Sequence, residues 1–255
     1  MNTLKQGWRG IDVRRLQEAL NRKLKPSPAL AADGDFGPLT RAAVLRLQAA
    51  HWLVEDGEAG PCTQNVAFDG EAAEPVLHPV ALIPAPDAAL CWAAGVAMMT
   101  RSNVQAVLAR TPAELVAADG RLHAFAGTHG THGTHGTHGG HGELTDAGRR
   151  LAAAHGLQVR PPQPWSLKAL RGALHEGPLM LDMLWEARKG DAASAGRPGH
   201  MVVIAGIRGD DDPSGRGTTL RVFDPWPARK GTRSSVNFFR WLQGAGSRTC
   251  RVFST

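Results

Sequence analysis

Leu82-Ile83-Pro84-Ala85-Pro86-Asp87-Ala88-Ala89-Leu90-Cys91-Trp92-Ala93-Ala94 is the stretch on which the reading of this chain turns. The prolines hold its first half off regular structure, and good helix formers then run on through Ala97, Met98 and Met99. The pattern predicts a cysteine in the first turn of a buried helix. A helix N-terminus presents unpaired N–H groups and the positive end of the dipole. Both stabilise a thiolate, the nucleophilic form of cysteine. Downstream, Gly199-His200 opens the apolar run Met201-Val202-Val203-Ile204, which reads as a strand, and Val222-Phe223-Asp224-Pro225-Trp226-Pro227 follows. Cysteine, histidine and carboxylate thus stand in one chain order, each at the edge of an expected element.

The rest of the composition is that of a globular protein. Of 255 residues, 42% are hydrophobic and 20% charged, ordinary values for a packed domain. No apolar run approaches the roughly 18 residues of a membrane span. The start, Met1-Asn2-Thr3-Leu4-Lys5-Gln6-Gly7, lacks the apolar core of a secretory signal. The expectation is a protein that stays cytoplasmic until it leaves by a non-classical, contact-dependent route. The three cysteines, Cys62, Cys91 and Cys250, show no metal-ligand spacing and no CxxC. Cys62 and Cys250 read as small buried residues. The net charge of +6 is uneven. Residues 1–75 hold 9 Lys and Arg against 10 Asp and Glu, a net of −1, and the remainder holds 20 against 13, a net of +7. No basic cluster interleaved with aromatics marks a nucleic-acid site, so none is expected.

Near the N-terminus, Asp33-Gly34-Asp35-Phe36-Gly37-Pro38-Leu39-Thr40 recurs 23 residues on as Asp56-Gly57-Glu58-Ala59-Gly60-Pro61-Cys62-Thr63. Asp-Gly marks a tight turn, and Gly-Pro leads into a helix start. Between the copies Ala43, Val44, Leu47 and Ala50 have helical spacing, as do Val13, Leu16, Gln17, Leu20 and Leu24 before the first. The expectation is a small three-helix domain over residues 1–68. The polar, proline-ended run Asp69-Gly70-Glu71-Ala72-Ala73-Glu74-Pro75 suggests a linker over 69–77.

The repeat, with Gly10-Ile11-Asp12-Val13-Arg14-Arg15-Leu16-Gln17, Ala43-Val44 and Leu47-Gln48, resembles the peptidoglycan-binding domain of bacterial cell-wall hydrolases. In that family the ligand groove lies near the first turn, which implicates Asp35, Phe36 and Thr40 here. Turn chemistry alone also accounts for Asp33, Gly34 and Gly37.

Residues 82–94, with Glu176-Gly177-Pro178-Leu179-Met180, Gly199-His200-Met201-Val202-Val203-Ile204-Ala205-Gly206-Ile207 and Asp224-Pro225-Trp226-Pro227, resemble papain-like cysteine peptidases. The bacterial group that includes plant-pathogen effector proteases is the nearer likeness, and the leader peptidases of bacteriocin exporters the more distant. The resemblance implies an α+β fold for residues 78–255, with the nucleophile on a helical part and His and Asp on an antiparallel sheet. It implies Cys91 as nucleophile, His200 as its acid–base partner and Asp224 as the group that holds the imidazole. It implies neither cofactor nor metal. Arg208 to Gly215 reads as a hairpin loop joining the strands of His200 and Asp224. Trp92 reads as a core aromatic behind the nucleophile. One position departs from the family. Gln commonly stands six residues before the nucleophile as a donor to the oxyanion, and here that position is Ala85. Asp87 lies near, but its charge is wrong for an oxyanion donor.

Gly127 to Gly142 carries THG four times over. Glycine at every third position opposes helix and strand, so a surface loop is expected. Clustered imidazoles also allow divalent-metal binding, although no carboxylate or cysteine there fixes a catalytic geometry. Around the tract, residues 143–154 read as one helix, and a further helix follows Ser166, a good N-cap.

Together these readings point to a cysteine peptidase or amidase targeted to peptidoglycan, or to envelope peptides or proteins. As an exported antibacterial effector it would have a secretion machine and an immunity protein as partners. A catalytically weak papain-fold recognition protein, favoured by Ala85, is the alternative.

Overall fold

The computed structural model describes residues 2–70, 73–122, 146–160, 164–183, 200–243 and 251–255, with the side chains of Asp182, Met183, His200 and Arg251 outside the description. The chain divides into two compact units. One combines Met1–Leu77 with Gly206–Arg221 and Ser234–Trp241; the other combines His78–Ala205, Val222–Arg233 and Leu242–Thr255.

In the first unit, three helices follow the spacing of the apolar residues: α1 (Ile11–Lys23), α2 (Pro38–Ala50) and α3 (Pro61–Ala67). They close over a core that includes Leu16, Leu20, Phe36, Val44 and Leu47. Each fully buried large apolar side chain contributes about 1.5–3 kcal/mol. The two repeated turns are held by one polar device used twice. Gln17, on α1, shares its Nε2 protons among Asp33 Oδ1 (2.9 Å), the Asp35 carbonyl (2.9 Å) and Thr40 Oγ1 (3.2 Å). Its Oε1 accepts the Gly34 N–H at 2.9 Å. Gln48, on α2, does the same with Asp56 Oδ1 (2.8 Å), the Glu58 carbonyl (2.9 Å), Thr63 Oγ1 (3.1 Å) and the Gly57 N–H (2.9 Å). Both glutamines are almost fully buried. Buried amides need such partners, since an unmet one costs about 1–3 kcal/mol. Gly34 and Gly57 have φ of 79° and 73°, and a Cβ on Gly34 would also lie 2.9 Å from the Gly10 carbonyl oxygen. Glycine is therefore required at both turns.

Ala73–Leu77, inside the stretch read as a linker, forms strand β1, which pairs antiparallel with residues 206–209. Those residues belong to the same unit and carry further bonds to the repeat. Arg208 donates to the His51 carbonyl (2.8 Å) and stacks over Trp52. Asn65 Nδ2 donates to Asp210 Oδ2 at 2.7 Å.

The second unit is built on α4 (Cys91–Thr100), α5 (Val104–Arg110), α6 (Asp146–His155) and α7 (Leu167–Glu176). It also holds strands β2 (Gln158–Arg160), β3 (Leu179–Met183) and β7 (Arg251–Ser254), whereas strands β4 (His200–Gly209), β5 (Thr218–Asp224) and β6 (Thr232–Asn237) and helix α8 (Phe238–Gln243) have residues in both units. The sheet order is β2-β7-β3-β4-β5-β6, with β1 also on β4. Recorded pairs are antiparallel, with Leu179 opposite Ile204 and Met183 opposite His200. Helices largely precede strands, so the class is α+β, as the sequence implied. Helix α4 is buried from Cys91 to Met99, as a helix apolar all round must be. A Cβ on its Gly95 would lie 2.9 Å from Met180 Sδ of β3, so glycine lets the helix approach the sheet.

Candidate active site

Cys91 is the first residue of α4, is 8% exposed, and has its Sγ 3.6 Å from the Ala88 carbonyl oxygen. The helix's first i→i−4 bond runs from the Ala94 N–H to the Leu90 carbonyl at 3.0 Å. The N–H groups of Cys91, Trp92 and Ala93 precede that ladder, and first-turn amides have no partner within a helix. No side chain caps this helix, whose N-cap is Leu90. Two other helices of the same unit are capped: Asn103 accepts the Ala106 N–H, and Ser166, as its type suggested, accepts that of Ala169. Asp87, three residues upstream of Leu90, accepts the N–H groups of Ala89 (2.8 Å) and Leu90 (3.2 Å) on one carboxylate oxygen. Trp92 is buried, and its indole N–H donates to the Gly120 carbonyl at 3.0 Å, which makes it the core aromatic expected.

Asp224 ends β5, and its Oδ1 accepts the Trp226 N–H at 2.7 Å. The residue after it, Pro225, accepts the Ala85 N–H at 3.0 Å, and the Arg229 N–H donates to the Ala85 carbonyl at 2.7 Å. The loop ahead of Cys91 and the loop after Asp224 are therefore bolted together through the backbone of Ala85, which is fully buried. His200 opens β4. The hairpin of β4 and β5 closes where the Asp210 N–H meets the Gly217 carbonyl at 3.2 Å, so His200 and Asp224 both lie at the opposite, open end of their strands. The imidazole of His200 and the tract 127–142 lie outside the described residues, as does Cys250.

Cys62 is a different kind of thiol. Its Sγ donates to the Arg216 carbonyl (3.2 Å) and accepts from Asn237 (3.3 Å). Burial pushes its pKa up, hydrogen bonds offsetting this only in part. That favours the inert thiol form. Among the described residues, no group of three or more His, Cys, Asp or Glu could hold a metal ion.

At the first repeat turn, Asp35 pairs with Arg9 at 2.8 Å, and Trp8, Ile11 and Leu39, close to the pair in sequence, have exposed side chains. Thr40 is buried and spent on Gln17. Phe36 is fully buried in the core, so its expected place at a ligand is corrected: its ring has no surface to offer. The physical reason is alternation. Asp35 bridges Arg9 and the Phe36 N–H bonds the Trp8 carbonyl, so in extended backbone one side chain faces out and the next in. The nearby Asp33 carboxyl is held below its ordinary range by the Asp35 N–H and then by Gln17.

The comparisons with known proteins agree with this architecture. Cys91 opens a buried helix, and the loop ahead of it is bonded through Ala85 to the residue after Asp224 in an α+β fold. Residues 76–243 match the family described as papain-like cysteine protease AvrRpt2, and the chain belongs to that family. Residues 9–66 match a peptidoglycan-binding domain family. The zinc D-Ala-D-Ala carboxypeptidase of Streptomyces albus G is 48% identical over 66 residues, 26% of this chain and 26% of that protein. The chain thus matches only about a quarter of that relative's length. The crystal structure of Burkholderia AP3 phage endolysin is similar at 28% identity over 46% of this chain and 39% of that one, with a TM-score of 0.25. Among the described residues, no helix is long and apolar enough to cross a membrane.

Proposed function

We propose that this chain cleaves peptide or amide bonds with Cys91 as nucleophile, His200 as general base and acid, and Asp224 as the carboxylate that orients the imidazole. The observation that carries the reading is Cys91 at the uncapped start of α4, its loop bonded through Ala85 to the residue after Asp224. His200 takes the thiol proton, the thiolate attacks the carbonyl carbon, and the imidazolium later protonates the leaving amine. The Cys91 N–H faces the charge that develops on the carbonyl oxygen. Asp224 contributes its second oxygen to the ring while the first stays with Trp226. Losing one oxyanion donor costs about 10²–10³ in rate, so Ala85 in place of Gln sets a slow enzyme.

Residues 1–68 carry the enzyme to peptidoglycan, 69–77 connect, and 78–255 hold the catalytic machinery. The substrate is a peptide or protein of the bacterial envelope. Asp35, paired with Arg9, and the exposed Trp8 and Leu39, close to them in sequence, are the parts of the first turn that offer polar and apolar contacts to a wall fragment. An antibacterial effector role, with a secretion machine and an immunity protein as partners, rests on the domain combination alone. Ala85 favours a second reading, a recognition protein with a weakened peptidase fold. Alkylation by iodoacetamide at pH 6 separates the two: the enzyme reading expects fast, selective modification of Cys91, and a rate equal to that of free cysteine would favour the recognition protein.

A further inference from the structure

We infer that Asp87 is a positioning residue for the oxyanion site, a role that rests on the peptidase reading above. The loop from Ala85 to Cys91 is fixed at both ends. Ala85 is tied by both backbone groups to Pro225 and Arg229, and Asp87 gathers the N–H groups of Ala89 and Leu90 on a single oxygen. A carboxylate ahead of a helix ordinarily serves as its N-cap and takes the amides of the second or third helical residue. Here it stands too far upstream and spends itself on the two amides that precede Cys91. The loop is ordered, while the amides of Cys91, Trp92 and Ala93 meet no acceptor among the described residues and keep their protons for another. With alanine at the position where the family commonly has glutamine, the direction of the Cys91 N–H carries more of the oxyanion stabilisation, and the Asp87 turn sets that direction. Asp87 touches neither substrate nor thiol; it acts through the backbone.

The role predicts a specific pattern. Asp87→Ala frees the loop, and turnover falls roughly 10- to 100-fold with KM little changed, because misplacing a catalytic group by about 1 Å costs up to about that much. Asp87→Asn keeps an oxygen in the same place and restores turnover to within about threefold. Alkylation of Cys91 by iodoacetamide has no carbonyl oxyanion, so its rate is unchanged in both variants. The experiment measures kcat and KM on fluorescently labelled casein, release of peptides from purified peptidoglycan, alkylation rate and melting temperature for wild type, Asp87→Ala, Asp87→Asn and Cys91→Ala. Lost turnover in Asp87→Ala with alkylation and melting preserved, and rescue by Asn, supports the role. It is overturned if Asp87→Ala turns over like wild type, if alkylation falls with turnover, if Asn fails to rescue, or if melting falls in step with activity. Activity retained in Cys91→Ala, or no cleavage by wild type, sinks the peptidase reading itself and is distinguishable from these.

Discussion

In the N-terminal repeat, each turn ahead of a helix is closed upon itself. Gln17 and Gln48 occupy the turn carbonyls, hydroxyls and amides, and Pro38 and Pro61 begin α2 and α3 with residues that have no N–H to satisfy. Ahead of α4 the arrangement is the reverse. No proline starts the helix and no side chain caps it; order comes instead from the Ala85 backbone, from Asp87 and from the core around Trp92. The buried polar groups of the closed turns are spent on one another and serve as framework. The open start keeps hydrogen-bond donors in reserve beside a thiol. Unsatisfied donors are costly in a scaffold and useful at a site where charge develops.

If α4 depends on packing rather than capping, its core should carry the largest stability effect. Met180→Ala removes the fully buried side chain beneath Gly95 and is expected to cost about 2–5 kcal/mol in denaturant unfolding. A loss below about 1 kcal/mol would break the contrast. The closed turns should respond to their glutamines instead. Gln17→Ala and Gln48→Ala are each expected to lower stability by about 1–3 kcal/mol, because both strand buried partners. Equal losses would sharpen the view of the turns as one device used twice.

Acid should act on both regions. Burial holds the pKa values of His51 and His155 below the ordinary range, with Arg208 and Arg110 next in effect. The unfolded chain then takes up protons before the folded one. Stability is full above the ordinary histidine value and falls as pH drops through about 6.5. Asp33 titrates lower: its depressed folded value gives stability that is lost below about pH 4. Melting curves from pH 8 to 3 check both, and a flat profile between pH 7 and 5 would contradict the histidine part. The smallest effect on stability belongs to Asp35→Asn, at an exposed ion pair of about 0–1 kcal/mol. Its melting should hardly move while co-sedimentation with purified peptidoglycan weakens. Unchanged sedimentation would remove Asp35 from wall binding.

Much of this was legible in the residues. The DGxxGPxT repeat declared its turns because their requirements are local: positive φ at glycine and proline at a helix start. Cys91 at a helix start and the hairpin after Arg208 were legible for the same reason. Gln17 and Gln48 were partly so, since each follows a leucine on the helix that precedes its turn. Three things were not. Phe36 looked like a ligand contact because its motif is shared with the binding groove, whereas its side chain turns inward by strand alternation. Strand β1 lay hidden in a polar run because its order comes from a partner some 130 residues away in sequence, Gly206–Gly209. Ala85 read only as a missing glutamine, since a backbone clasp leaves no side-chain signal.

The central claim is that Cys91 attacks a peptide or amide carbonyl. Wild type and Cys91→Ala should be incubated with purified peptidoglycan and with casein, and the products compared by mass spectrometry. The account predicts new cleavage products from wild type on at least one substrate and none from an equally folded Cys91→Ala. Identical product profiles from the two proteins would contradict it.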